Sequence, residues 1–132
     1  MKLSTRGRYG LRALIDLAVL LKKNKCVSIR EVAVRQGLSA KYLEALFNVL
    51  KNAGIVQSYR GAKGGYFLRR PPNKITALEV LESIEGPISI VSCCIEKEYC
   101  NLTGKCKTFP LWKRINQKII AELKSKTIKD LM

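Results

Sequence analysis

The chain has 132 residues, 47% of them apolar, with a net charge of +15 and no histidine. That length and apolar share suit one packed domain, or a small domain with an appended element, and exclude a disordered or fibrous chain. No apolar run approaches the ~20 residues that span a bilayer, and the opening MKLSTRGRYG lacks the apolar core of a secretory signal, so the expected place is the cytoplasm, with no membrane partner.

Residues 6–23 set Leu14, Leu17, Ala18 and Leu21 on one stripe, which predicts a helix with one buried face, capped by Ser4 or Thr5 and closed by Lys22 and Lys23. In SIRE, Ser28 stands at an N-cap and Glu31 three residues on, a capping box that opens a short helix ended by Gly37. Ser39 restarts the chain as the cap of a third helix through Asn52, with Leu43, Leu46, Phe47 and Leu50 on one face and Gly54 as the stop. Two short helices about three residues apart form a helix-turn-helix.

The period then changes. In IVQSYRGAKGGYFLRR, Ile55, Gln57 and Tyr59 alternate with Val56 and Ser58, a glycine-bearing turn follows, and Tyr66 to Leu68 extend again until Pro71 and Pro72. This is a hairpin placed as the wing of a winged helix. Thr76 with Glu79 caps a fourth helix ended by Gly86 and Pro87. After a cysteine-bearing loop, Pro110 opens a last long helix whose Leu111, Ile115, Ile119 and Leu123 recur every four residues, followed by the short capped piece TIKDLM. That stripe has two destinations: a second copy of the chain, or the first helix of its own. The predicted fold is mainly α with a small β-hairpin wing. Residues 1–75 form a winged helix-turn-helix region, and residues 76–132 carry the cysteine loop and a long C-terminal dimerisation helix.

Charge is concentrated in the first region. Residues 1–75 hold sixteen Lys and Arg against three acids, an excess of +13, whereas residues 76–132 hold nine against seven, an excess of +2. Such a field attracts a polyanion, and double-stranded DNA fits the helix-turn-helix; a twofold pair of chains would read a pseudo-palindromic operator. The start of a recognition helix faces base edges, which nominates Ser39, Lys41, Tyr42 and Glu44. Glu44 can accept from cytosine N4, or instead pair with Lys41 one turn back. Arg60 and Lys63 stand at the wing tip, within reach of a minor groove or phosphates. Lys2, Arg6, Arg8 and Arg12 suit backbone clamps. An RNA reader is disfavoured, because the exposed aromatics lack a sheet platform.

Without histidine, the Ser–His and Cys–His pairs that activate nucleophiles are missing, and no Walker loop occurs, so no enzymatic activity is expected. The five cysteines are an odd number for a disulfide framework. Cys94, Cys100 and Cys106 recur at equal intervals of six. Thiolate softness favours an iron–sulphur cluster, Zn or Cu(I), although the five-residue gaps differ from zinc knuckles. Lys97, Lys105 and Lys107 would partly neutralise a cluster. A metal-free thiol switch, in which Cys94 pairs with Cys100 or Cys106, is the alternative. A small electron carrier is a more distant one. Cys26 suits a small buried apolar residue, and Tyr9, Tyr66 and Trp112 suit the core.

The segments MKLSTRGRYGLRAL, QGLSAKYLEALFNVLKNAGIVQSYRGAKGGYFL and EGPIS, with the C-x5-C-x5-C loop, together resemble the Rrf-two family (IscR/NsrR/RirA/CymR-like) of bacterial winged-helix transcription factors. The resemblance runs through nearly the whole chain in order. It implies a homodimeric regulator, with the C-terminal helix crossing between subunits and a [2Fe-2S] or [4Fe-4S] cluster on Cys94, Cys100 and Cys106. It also implies that Lys41, Tyr42, Glu44 and Arg60 read DNA. The fourth cluster ligands of two branches, a His three residues past the third cysteine and an acid on the partner's first helix, match Phe109 and Arg8 here, neither of which ligates. Cys93, Glu96, Glu98, a water or a small thiol are left for that place. A repressor that binds its operator as paired chains, tuned by the sulphur loop, is the function on which these readings converge.

Overall fold

The computed structural model describes residues 2–96, 100–102 and 104–132. Helix α1, Thr5–Leu20, begins where the Ser4 hydroxyl accepts the Gly7 N–H at 3.0 Å. It buries Ala13, Leu14, Leu17 and Ala18. It ends earlier than the pattern predicts, because Lys22 and Lys23 turn back onto the Val19 and Leu20 carbonyls at 3.2 and 3.3 Å. Helix α2, Ile29–Gln36, is capped by Ser28, which accepts from the Glu31 N–H at 3.2 Å, and it ends at Gly37 with φ +67°. A left-handed residue there reverses the chain in three residues, and only glycine takes it without strain. Helix α3, Ala40–Asn52, is capped by Ser39 on the Tyr42 N–H at 3.1 Å and buries Leu43, Leu46, Phe47 and Leu50.

Strands β1, Val56–Tyr59, and β2, Gly65–Leu68, pair antiparallel from Val56 opposite Leu68 to Tyr59 opposite Gly65. Val27 adds a bridge to Tyr66 on the other edge of β2. The alternation predicted from Ile55 starts one residue later. Ile55 and Val56 are both buried, because the Ile55 N–H closes the end of α3 on the Leu50 carbonyl at 3.0 Å. A single 3-10 turn at Pro72–Lys74 leads to α4, Ala77–Glu85, capped by Thr76. Helix α5 spans Phe109–Ser125, and α6, Ile128–Leu131, carries a complete capping box between Thr127 and Asp130.

One core joins the two sequence regions. Val80 and Ile84 of α4 and Ile128 of α6 pack with Leu14, Leu17, Leu43 and Phe47. Tyr9 and Tyr66 lie half-buried against this core, and Trp112 is half-buried on α5. The C-terminal segment is clipped back by Ala77 N–H on the Lys126 carbonyl and Ile128 N–H on the Ile75 carbonyl, both at 2.8 Å. Helix α5 lies along α4 and the 3-10 turn at Ser92–Cys94, and it buries no residue fully. Leu111 and Ile115 remain 51% and 37% exposed, so half of the predicted stripe faces outward.

Asp16 is the one buried charged side chain among the described residues, at 9% exposed. Arg35 of α2 grips it with two parallel bonds, Nε to Oδ2 at 2.9 Å and a terminal nitrogen to Oδ1 at 2.8 Å. This grip holds the Asp16 carboxyl below its ordinary pKa against the opposing effect of burial. A depressed folded pKa stabilises the fold above the unfolded value of about 3.9, and that contribution disappears as pH falls through the lower folded value. Asp16→Asn should therefore lower Tm by about 3–6 °C at pH 7. The gap from the parent protein should close below about pH 4. An equal gap at pH 3 in thermal melts would remove the ion pair as its cause.

Candidate nucleic-acid interface and cysteine loop

Ser39, Lys41 and Glu44 are exposed on the first turns of α3. Tyr42 is half-buried, its ring edge-on to Tyr9 of α1 with centroids 6.5 Å apart, so the ring braces α3 against α1. Glu44 forms no ion pair with Lys41 among the described residues. Its charge instead acts on the Tyr66 hydroxyl, whose pKa is raised first by burial and then by Glu44.

The wing tip presents Arg60 and Lys63, both exposed. Gly61 takes φ +114°, a conformation closed to other residues without strain. Behind the tip, Tyr59 and Phe67 stack with centroids 4.5 Å apart. Cys26 is half-buried rather than buried, and its thiol donates to the Lys63 carbonyl at 3.4 Å, so it fastens the wing turn to the segment after α1.

Lys2, Arg6 and Arg8 are exposed at the start of α1. Arg12 has another role. Its guanidinium donates to the Gln36 side chain at 2.6 Å and the Gln36 carbonyl at 3.0 Å, and lies 4.8 Å from the centre of the Tyr9 ring. Those bonds hold the end of α2 and use two of the five guanidinium donors, on a side chain that is exposed.

Two sets of positioning contacts lie beyond what the sequence predicts. In the first, Asp16–Arg35 and Arg12–Gln36 together lock α2 to α1. An acid set among Leu14, Leu17 and Ala18 is its only signal in the chain, since a buried carboxylate requires a partner. The second is made by Glu85 at the end of α4, which accepts from the Ser4 N–H at 2.7 Å and from the Ser4 hydroxyl. A Cβ on Gly7 would overlap the Glu85 carboxylate, so glycine permits this approach. The start of α1 is thereby tied to the element that leads into the cysteine loop.

In that loop, Cys93, Cys94 and Cys106 are half-buried and Cys100 is exposed. The Cys106 thiol is held below its ordinary pKa, chiefly by the Thr108 hydroxyl at 3.2 Å and then by backbone N–H groups at the start of α5. Burial, followed by the nearby Cys94 and then by Cys100 and Cys106, raises that of Cys93. Asn116 of α5 accepts the Ile90 N–H at 3.1 Å and anchors the loop's entry. The thiols suit a soft metal chemically. Among the described residues no three His, Cys, Asp or Glu side chains come together to hold a metal ion. Glu96 is exposed, and Lys97 and Glu98 lie outside the described residues.

A capped helix-turn-helix with a glycine-tipped hairpin and a basic face defines a winged-helix DNA-binding transcriptional regulator. Known proteins of that class match the chain. The model of the family described as Rrf2, iron-dependent transcriptional regulator, matches residues 3–132, and the chain belongs to the Rrf2 family. The chain is 39% identical over 132 residues to the protein rrf2 of Nitratidesulfovibrio vulgaris, covering 100% of itself and 87% of that protein. The structure of CymR, the global cysteine regulator of B. subtilis, superposes with a TM-score of 0.80 at 40% identity, covering 99% of this chain and 95% of that one. That of T. potens IscR gives 0.77 at 36% identity, with 99% and 85% covered. The family so described is one of transcriptional regulators, not of enzymes. No helix among the described residues is long and apolar enough to cross a membrane.

Proposed function

We propose that the protein represses promoters by gripping a pseudo-palindromic operator as a homodimer, with residues 1–75 reading DNA and residues 76–132 pairing the chains and sensing. The observation that carries this reading is the shared exposure of Lys41 on α3, Arg60 and Lys63 on the wing, and Arg6 and Arg8 at the start of α1. Ser39, Lys41, Tyr42 and Glu44 supply the base-facing edge, Arg60 and Lys63 the wing contact, and Lys2, Arg6 and Arg8 the backbone clamps. The outward Leu111 and Ile115 supply the pairing face. Arg60→Ala should cost about 1–3 kcal/mol of operator affinity and relax base preference under the wing. Equal losses on operator and scrambled duplex, measured by fluorescence anisotropy, would reassign Arg60 to the phosphates.

For the loop, the geometry favours thiol chemistry. Four cysteines sit close in sequence, the Cys106 thiol is held below its ordinary pKa at the start of α5, and neither Phe109 nor Arg8 offers a fourth ligand. Two thiols joining as a disulfide release two protons and pass two electrons to an oxidant such as a peroxide, which is reduced. The disulfide would shift the loop against α4 and, through Glu85, the start of α1. The relative described as a global cysteine regulator is in keeping with a thiol-linked stimulus. The second reading, a [2Fe-2S] or [4Fe-4S] cluster on Cys94, Cys100 and Cys106, is favoured by the family's description as iron-dependent. Anaerobic purification with a visible spectrum and iron assay separates the two. The thiol reading expects a colourless protein whose operator affinity falls on disulfide formation and recovers on reduction. A coloured, iron-bearing protein whose response is lost in Cys100→Ser replaces it with the cluster.

A further inference from the structure

A cavity of about 820 Å³ opens on the side of the molecule formed by the end of α1, the exit of β2, the turn at Pro72–Lys74 and α6. Of the elements of the proposed DNA-reading surface, only the far end of α1 and the root of the wing contribute to it. Ala18, Leu21, Phe67 and Leu68 supply apolar walls. Lys22, Lys25, Arg69, Arg70 and Lys129 supply five positive charges, and no Asp or Glu among the described residues lines the cavity. Arg70 is neutralised by Glu79, with which it forms an ion pair. Asp130, beside Lys129, has its carboxylate turned to the Thr127 N–H and hydroxyl, both at 2.9 Å. Even with Asp130 set against Lys129 and a carboxylate at Met132 against one more, two positive charges stand uncompensated around an apolar floor.

Like charges gathered on a concave wall repel one another, and low-dielectric walls strengthen the field between them. An apolar floor in water is a second unfavourable feature. One kind of occupant relieves both. We infer that this cavity binds a small organic anion of metabolite size, with an apolar or aromatic body facing Leu21 and Phe67 and two or more negative charges facing Lys22, Lys25, Arg69 and Lys129. The volume lies within the ~300–1,000 Å³ range of small-molecule sites, and the few polar groups converge on one rim. Phe67 also stacks on Tyr59 of the wing, so an occupant would steady the wing root. That consequence rests on the proposed role of the wing in holding DNA, whereas the binding itself does not.

The dye bis-ANS, an aromatic body with two sulfonates, is a suitable probe for the full chain. Saturable fluorescence with about one dye per chain is expected. Lys22→Glu with Lys129→Glu should weaken it by about tenfold or more. Leu21→Trp, which fills the floor without changing charge, should block it as well, with circular dichroism showing that each variant stays folded. Val34→Ser, at an exposed apolar residue of α2, should leave dye affinity within about twofold, given that α2 does not line the cavity. Loss of binding in that α2 variant, or undiminished binding in both cavity variants, would overturn the inference. So would displacement of the dye by scrambled duplex, which would make the cavity a contact for DNA phosphates.

Discussion

Phe47→Ala is expected to destabilise the fold by about 3–5 kcal/mol, a large part of the ~5–15 kcal/mol that holds a domain of this size together. Phe47 is 0% exposed and is the largest fully buried side chain. It sits on the inner face of α3 with Leu43, Leu46 and Leu50, and its ring lies 5.2 Å from that of Tyr66 on β2. Its removal leaves a cavity where the recognition helix meets the wing, and neighbours on several elements would have to move to fill it. Urea unfolding should show a lower midpoint at unchanged slope. A loss under about 1 kcal/mol would mean that the core collapses freely around the gap, contrary to the close packing of protein interiors.

The second large effect is on DNA affinity as salt rises. Six cations per chain, Lys2, Arg6, Arg8, Lys41, Arg60 and Lys63, are exposed and in the proposed reading would face the duplex. If a pair of chains makes about 6–10 phosphate contacts, raising salt from about 50 to 200 mM should weaken operator binding by about 10³–10⁵. The logarithmic slope counts the contacts. Charge reversal at Arg6 should lessen that slope by about one for each phosphate the side chain no longer reaches, with little change in base preference. A slope near zero would show that counterion release contributes nothing and that the charged front half faces elsewhere.

The helices, caps and wing are legible along the chain because their causes are local. Ser4, Ser28, Ser39, Thr76 and Thr127 each cap through a bond to an N–H three residues on, and the buried faces follow a period of about four. The hairpin follows from glycines that allow its turn, and the basic front from simple counting. Alternation alone puts the wing's first strand one residue early, because closure of α3 on Ile55 overrides alternation at a junction.

What only the tertiary structure decided is which distant groups meet. Asp16 finds Arg35 across 19 positions and Ser4 finds Glu85 across 81, and neither spacing leaves a local pattern. The same holds for Arg12, which meets Gln36 across 24 positions through two of its donors. The cysteines show the limit from the other side: their equal spacing along the chain is visible at once, yet which thiols meet is set by the folded loop, where Cys94, Cys100 and Cys106 all act on Cys93. Sequence sets the chemistry each side chain carries and its local backbone state. Packing of α1 against α4, and of α6 back onto the core, determines which of those chemistries act on one another.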